Sequence, residues 1–314
     1  MTISTATVST GISAGRRSLR LVTIAACLPY LSLELARIAG SHLGNPAGSP
    51  LPGHRVTSAL ANGLIVLMDA AVVVPAPLLT RPWGRRGPAW PPRVPMWLAT
   101  GLLAPVMVAS PLHLVLRGTG GGHDGPGDRP FLGDRVLAVV YGGFVVQGLA
   151  LEALFAGYTR ERRGHLWRGR VRELPAGGAA GVGRPAAVAA EPVALFPGAV
   201  RLIRACGAAS PDGSGDRSPQ RVHLLFLTAA VTGAWRLAFR RGRALPVSVP
   251  LVLAWTGSGA VACRGGWTLL GPWVSGDPPT APTGLTYAGQ MTVGLLEASV
   301  LARLVTFRTA KAPR

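Results

Sequence analysis

The sequence predicts an all-α integral membrane protein with eight transmembrane helices, arranged as two parallel four-helix repeats. Three observations favour this fold class: long apolar runs, a biased placement of arginine, and internal matches that recur in order. Of 314 residues, 48% are hydrophobic and only 14% are charged, whereas soluble domains are about 25% charged. The composition therefore favours a chain that buries most of its length in lipid.

The apolar runs set the number of helices. A hydrocarbon core of about 30 Å requires about 20 apolar residues in a helix. Eight runs approach that length: Leu21–Gly40, Thr57–Leu79, Val94–Leu116, Val136–Tyr158, Ala186–Ala209, Val222–Phe239, Leu245–Cys263 and Leu285–Val305. The fifth is the weakest, because it contains Glu191, Arg201, Arg204 and two prolines.

The basic residues support eight spans and give an orientation. Cytoplasmic loops of membrane proteins are enriched in Lys and Arg. With Arg16, Arg17 and Arg20 in the cytoplasm, the inner segments hold 21 basic residues and the outer loops hold seven. If the fifth run did not span, the later arginines would face outward. We therefore expect a plasma membrane location with both termini cytoplasmic.

The net charge of +19 does not indicate a nucleic-acid partner. The arginines lie between apolar runs and not along amphipathic helices, as a nucleic-acid-binding surface would require. The lipid bilayer is the expected partner.

Internal matches predict a duplication. "VPMWLATG" (Val94–Gly101) resembles "VPLVLAWTG" (Val249–Gly257), and "YGGFVVQGLALE" (Tyr141–Glu152) resembles "YAGQMTVGLLE" (Tyr287–Glu297). The matches occur in the same order, which is typical of a repeated unit. A unit with an even number of spans gives parallel halves. The predicted organisation is a first repeat at 1–159, a basic cytoplasmic linker at 160–185 and a second repeat at 186–314.

The linker holds seven arginines. Two interpretations remain open for it. It anchors the topology, or it binds anionic lipid headgroups, each basic residue contributing about 1 kcal/mol near such a surface.

Carboxylates inside the apolar runs are the candidate functional residues. Glu34 lies in the first run, Asp69 in the second, Glu152 in the fourth and Glu297 in the eighth. A charged residue at the bilayer centre costs about 2.5–3.5 kcal/mol on insertion scales, so such residues are paired, neutral or in contact with water. One interpretation is a proton or cation path. The other is structural, with the acids satisfied by Arg37, Arg236, Tyr141 or the backbone.

The repeated pattern also predicts a helix–helix seam. Tyr141, Gly148 and Glu152 share one helical face, since they are seven and four residues apart. Gly294 occupies the matching position in the second copy, but Glu297 comes one residue early. Small residues on such a face allow two helices to approach closely.

No enzyme motif is present. The sequence lacks a Ser/His/Asp set, HExxH, GxSxG and a dinucleotide fingerprint, and its histidine spacings do not suggest a metal site. The three cysteines are expected to be small buried residues. Arg16 and Arg17 lie in "GRRSLRLV", which resembles a twin-arginine export signal, but more spans follow and we expect a membrane anchor. We therefore predict no enzyme, no cofactor and no metal.

The stretches "LPYLSLELARIAGSHLG" and "PMWLATGLLAPVMVA" resemble uncharacterised polytopic (multi-pass) membrane proteins of actinobacteria. The resemblance covers the first four spans best. It implies a location in the bacterial plasma membrane (inner membrane) and carries over neither an activity nor site residues. The favoured function is a non-enzymatic scaffold or accessory subunit. The alternative is a proton- or cation-coupled secondary transporter that uses the intramembrane carboxylates.

Overall fold

The computed structural model describes residues 14–39, 74–81, 92–118, 134–174, 183–207, 218–275 and 280–310. These ranges form the α-helices α1 (Ala14–Ile38), α2 (Pro75–Thr80), α3 (Arg93–Gly118), α4 (Asp134–Trp167), α5 (Gly183–Cys206), α6 (Ser218–Phe239), α7 (Ser248–Ser275) and α8 (Ala281–Ala310), with one 3-10 turn at Val171–Glu173. No strand occurs in these ranges, so the all-α prediction is confirmed for them.

Seven of the eight predicted runs coincide with a long helix. The weak fifth run forms α5 in spite of its two internal prolines. Most of Thr57–Leu79 lies outside the described residues. Helix α4 continues to Trp167, so the predicted linker is helical over its first residues.

Five of the described helices are long and apolar enough to cross a bilayer. They are the segments Arg93–Leu112, Ala138–Arg162, Gly183–Cys206, Ser218–Phe239 and Ala281–Ala310. Helix α7 is not among them, although it is 28 residues long. It packs against α3, α6 and α8, and its glycines and hydroxyl residues suit contact with protein more than contact with lipid. The eight-span count therefore stays a prediction.

In the first half of the chain, α4 is the common partner. It packs against α1 and α3, and the short α2 fits between α1 and α4. Met96 and Leu103 of α3 meet Leu151 and Phe155 of α4 in one buried cluster. Thr100 of α3 contacts Glu152 of α4, and Met107, further along α3, lies beside Gly148, which is earlier in α4. The two helices are therefore antiparallel.

The second half is a tighter bundle in which close glycine contacts hold α7. A Cβ on Gly257 would lie 2.7 Å from the Cα of Ala230 in α6, and one on Gly265 would lie 2.7 Å from the carbonyl oxygen of Tyr287 in α8. Real Cβ atoms do not approach backbone so closely, so both positions require glycine.

The predicted glycine seam is confirmed. Gly148 of α4 packs against Leu103 and Met107 of α3, and Gly294 of α8 packs against Ala262 of α7. Gly148 thus lies at the contact between α3 and α4, and Gly294 lies at the contact between α7 and α8.

The two halves meet where α3 crosses α7. Gly101 packs against Gly259, where neither residue has a side chain to separate the backbones. Trp97 Nε1 donates to Ser258 Oγ at 3.1 Å, and Trp255 Nε1 donates to Thr100 Oγ1 at 3.3 Å. The contact is reciprocal, since the segments 97–101 and 255–259 both read Trp-x-x-(Thr/Ser)-Gly.

One end of the molecule, which we call the basic end, gathers the start of α1, the end of α4, the turn between α6 and α7, and the end of α8. Arg16 pairs with Glu161. Val171 N donates to the carbonyl oxygen of Leu245 at 2.9 Å. Arg308 Nη1 donates to the carbonyl oxygen of Leu166 at 2.9 Å. The pair joins α1 to α4, and the two hydrogen bonds fix the end of α4 and the turn after it to the second half of the chain.

Candidate functional site

A cavity of about 310 Å³ lies between α3, α4, α7 and α8, towards the basic end. Its walls are mainly apolar and aromatic, and its polar lining includes Glu152, Thr159 and Arg160. Phe155 and Trp255 stack with their ring centroids 5.3 Å apart. Pockets of this kind, apolar with a few convergent polar groups, are the usual form of small-molecule sites.

Glu152 is held by a three-helix hydrogen-bond network at this cavity. Its Oε1 lies 2.5 Å from Thr100 Oγ1. The same hydroxyl lies 2.8 Å from the carbonyl oxygen of Met96 and accepts the Nε1–H of Trp255 at 3.3 Å. The carboxyl group of α4 is therefore connected to both α3 and α7.

The hydroxyl group of Thr100 has only one proton to donate. When that proton points to the carbonyl oxygen of Met96, Glu152 completes the pattern by donating its own carboxyl proton to Thr100. When Glu152 is ionised, it must accept the hydroxyl proton, and the bond to Met96 is lost. Ionised Glu152 therefore allows only the pattern in which Thr100 donates to it, whereas protonated Glu152 also allows the pattern in which Thr100 keeps its bond to Met96.

Glu297 has a different environment. It is 1% exposed on α8, and its Oε2 has no hydrogen-bond partner. Glu191 of α5 is its charged neighbour, so two carboxyl groups lie near each other at the contact between α5 and α8. No hydrogen bond of the described region joins Glu297 to Glu152. Glu297, which comes one residue early in its repeat, therefore has different neighbours from Glu152.

Glu34 and Asp69 are the other two predicted acids. Asp69 lies outside the described residues. Glu34 belongs to α1, but its side chain is not described. A path through all four acids stays a prediction.

The structure corrects the expected partners of Glu152. The sequence offered Arg37, Arg236, Tyr141 or the backbone as partners of the four acids, whereas Glu152 bonds to Thr100. Sequence reasoning did not select Thr100 or Trp255. A signal existed in the repeated Trp-x-x-(Thr/Ser)-Gly segments, but the alignment chosen from the sequence matched Gly101 to Gly257 and not to Gly259.

The histidines and cysteines give no metal site in the described ranges, where no group of three or more His, Cys, Asp or Glu side chains comes together. Cys27 is buried as predicted, Cys263 is partly buried, and Cys206 at the end of α5 is exposed. The prediction of a buried residue is therefore wrong for Cys206.

No family model, curated protein or solved structure matches the chain. The resemblance to actinobacterial membrane proteins stays a prediction.

Proposed function

We propose that this chain is a non-enzymatic, proton-coupled secondary transporter of a small organic solute, with Glu152 as the group that carries the proton. The observation behind the proposal is the bond between Glu152 and Thr100 at the edge of the cavity. A change of protonation there alters the bonds of Thr100, which also contacts α7 through Trp255. Proton binding is thereby coupled to the crossing that joins the halves.

The cavity supports a solute that is compact and largely apolar. Leu251 and Leu301 form part of its wall beside the Phe155–Trp255 stack. Intramembrane carboxyl groups that face a cavity commonly lie on proton or substrate paths.

Flux through reconstituted vesicles tests the proposal. Proteoliposomes that contain a pH-sensitive dye would receive a pH gradient and a panel of small amines, short fatty acids and aromatic alcohols. We expect at least one probe to accelerate proton movement above that of protein-free vesicles. Glu152→Gln, which keeps a hydrogen-bonding amide, should abolish this acceleration, since an amide does not exchange a proton in this way.

Glu161→Gln is the matched control, because Glu161 is an exposed acid on the same helix that pairs with Arg16. This variant should transport like the wild type. If no probe moves protons, or if Glu152→Gln transports normally, the transporter proposal fails. If the wild type shows no flux although both it and Glu152→Gln are folded in the vesicles, a scaffold or accessory subunit is favoured.

The orientation is part of the proposal. We place the basic end in the cytoplasm, with both termini there, because basic segments remain on that side. Arg160, Arg168 and Arg172 are exposed at this end, and their charge supports contact with anionic lipid headgroups there.

The duplication into two parallel four-helix repeats is also proposed. It is supported by the matched glycines Gly148 and Gly294 at the same helix pair of each half. The reciprocal bonds from Trp97 and Trp255 further support it, because equivalent residues exchange equivalent contacts across a two-fold axis.

A further inference from the structure

Arg201 is a buried cation in the second half of the chain. It lies on α5, five residues before the helix ends at Cys206, and it is 3% exposed. At about 1.5 Å per residue it is less than two turns from the end of the bundle opposite the basic end.

Two amides and one aromatic ring hold its guanidinium. Nη1 donates to Gln220 Oε1 of α6 at 2.7 Å, and Nη2 donates to Gln290 Oε1 of α8 at 3.2 Å. The guanidinium carbon lies 5.8 Å from the centre of the Tyr287 ring. These contacts fix the orientation of the group but supply no negative charge.

The surroundings of Arg201 are positive. Its charged neighbours include Arg204 and Arg264, and no carboxylate of the described ranges forms an ion pair with it. Its Nε is buried without a hydrogen-bond partner. A buried charge normally requires both a counter-ion and satisfied donors, because its desolvation costs several kcal/mol. Within the described ranges, Arg201 therefore lacks a counter-ion, and its Nε–H lacks an acceptor.

We propose that Arg201, together with Arg204 and Arg264, forms a binding site for an oxyanion, a carboxylate or a phosphate. The planar guanidinium presents paired N–H groups that match two oxygen atoms, and the Nε edge is the part that the glutamines leave unused. Gln220 and Gln290 act as positioning residues. The site is separate from the Glu152 cavity, and it does not depend on the transport proposed above.

The first test measures thermal unfolding of the full chain in phosphatidylcholine nanodiscs. Inorganic phosphate and acetate would be titrated against chloride at constant ionic strength. At an anion concentration ten times the dissociation constant, the midpoint of thermal unfolding should rise by about 3 °C. The rise should saturate at higher concentrations. Arg201→Gln should remove this rise. Because that variant risks poor folding, Arg264→Gln provides a second test at an exposed position and should weaken the rise.

Arg303→Gln is the matched control, since Arg303 is an exposed arginine of α8 near the basic end. It should keep the full rise. Nanodiscs with phosphatidylglycerol separate the sources of the anion: a rise from this lipid alone identifies a lipid phosphate, whereas a rise from the soluble salts identifies a free anion.

Two results would overturn the site. One is the absence of any Arg201-dependent rise with phosphate, acetate or phosphatidylglycerol. The other is a drop in the midpoint for Asp212→Asn or Asp216→Asn equal to that of Arg201→Gln. These aspartates follow α5 in the sequence, and such a result would mean that the chain supplies its own carboxylate.

Discussion

Gly101→Ala should destabilise the protein by loosening the crossing of α3 and α7. The new Cβ would lie 2.5 Å from the carbonyl carbon of Gly259 and 2.7 Å from Cys263 Sγ. Overpacking of this kind costs about 1–3 kcal/mol. Alanine in a helix is about 1 kcal/mol better than glycine, so the raw effect is smaller than the clash itself. Gly157→Ala corrects for this, because Gly157 is helical and a Cβ there would meet nothing within 4 Å.

The two variants should differ by about 1–3 kcal/mol, with Gly101→Ala the less stable. At roughly 2–4 °C per kcal/mol, the unfolding midpoint measured by circular dichroism in detergent should be at least about 2 °C lower. Adding Cys263→Ala should not restore stability, because the backbone of Gly259 remains in the way. Equal midpoints for Gly101→Ala and Gly157→Ala would refute the close crossing.

Three further variants test individual bonds. Thr100→Val removes the hydroxyl that contacts Glu152 and should lower stability by about 1–3 kcal/mol, whereas Thr100→Ser should behave like the wild type in the same unfolding assay. Arg308→Gln removes two bonds to the end of α4, so trypsin should cleave the segment after Trp167 several times faster; an unchanged rate would contradict this role. Glu161→Gln breaks the pair between Arg16 and the exposed Glu161 and should change stability by less than about 1 kcal/mol. A larger loss would mean that the pair contributes more than surface pairs usually do.

The sequence predicted the helices well because span length and apolar composition are local properties. It also predicted the positions of Gly148 and Gly294, since a small residue on a repeated face has a direct packing meaning. It did not predict the partner of Glu152. That partner, Thr100, lies 52 residues away. The pattern that marks it, Trp-x-x-(Thr/Ser)-Gly at 97–101 and 255–259, becomes visible only when Gly101 is aligned with Gly259.

The same limit applies to Arg201. In the sequence it only weakens the fifth span. In the structure it is held by Gln220 and Gln290, which are 19 and 89 residues away. Glutamine side chains carry no charge, so the pattern of charges along the sequence does not mark them as partners of Arg201.

Sidedness of labelling tests the bundle and its topology most directly. One variant would retain only Cys206, which is exposed at the end of α5. The other would lack all native cysteines and carry Arg243→Cys, an exposed position in the turn between α6 and α7. On intact bacterial cells, a membrane-impermeant maleimide should label Cys206, and Arg243→Cys should react only after permeabilisation. Labelling of both positions from the same side would contradict a bundle that spans the membrane with its basic end inside.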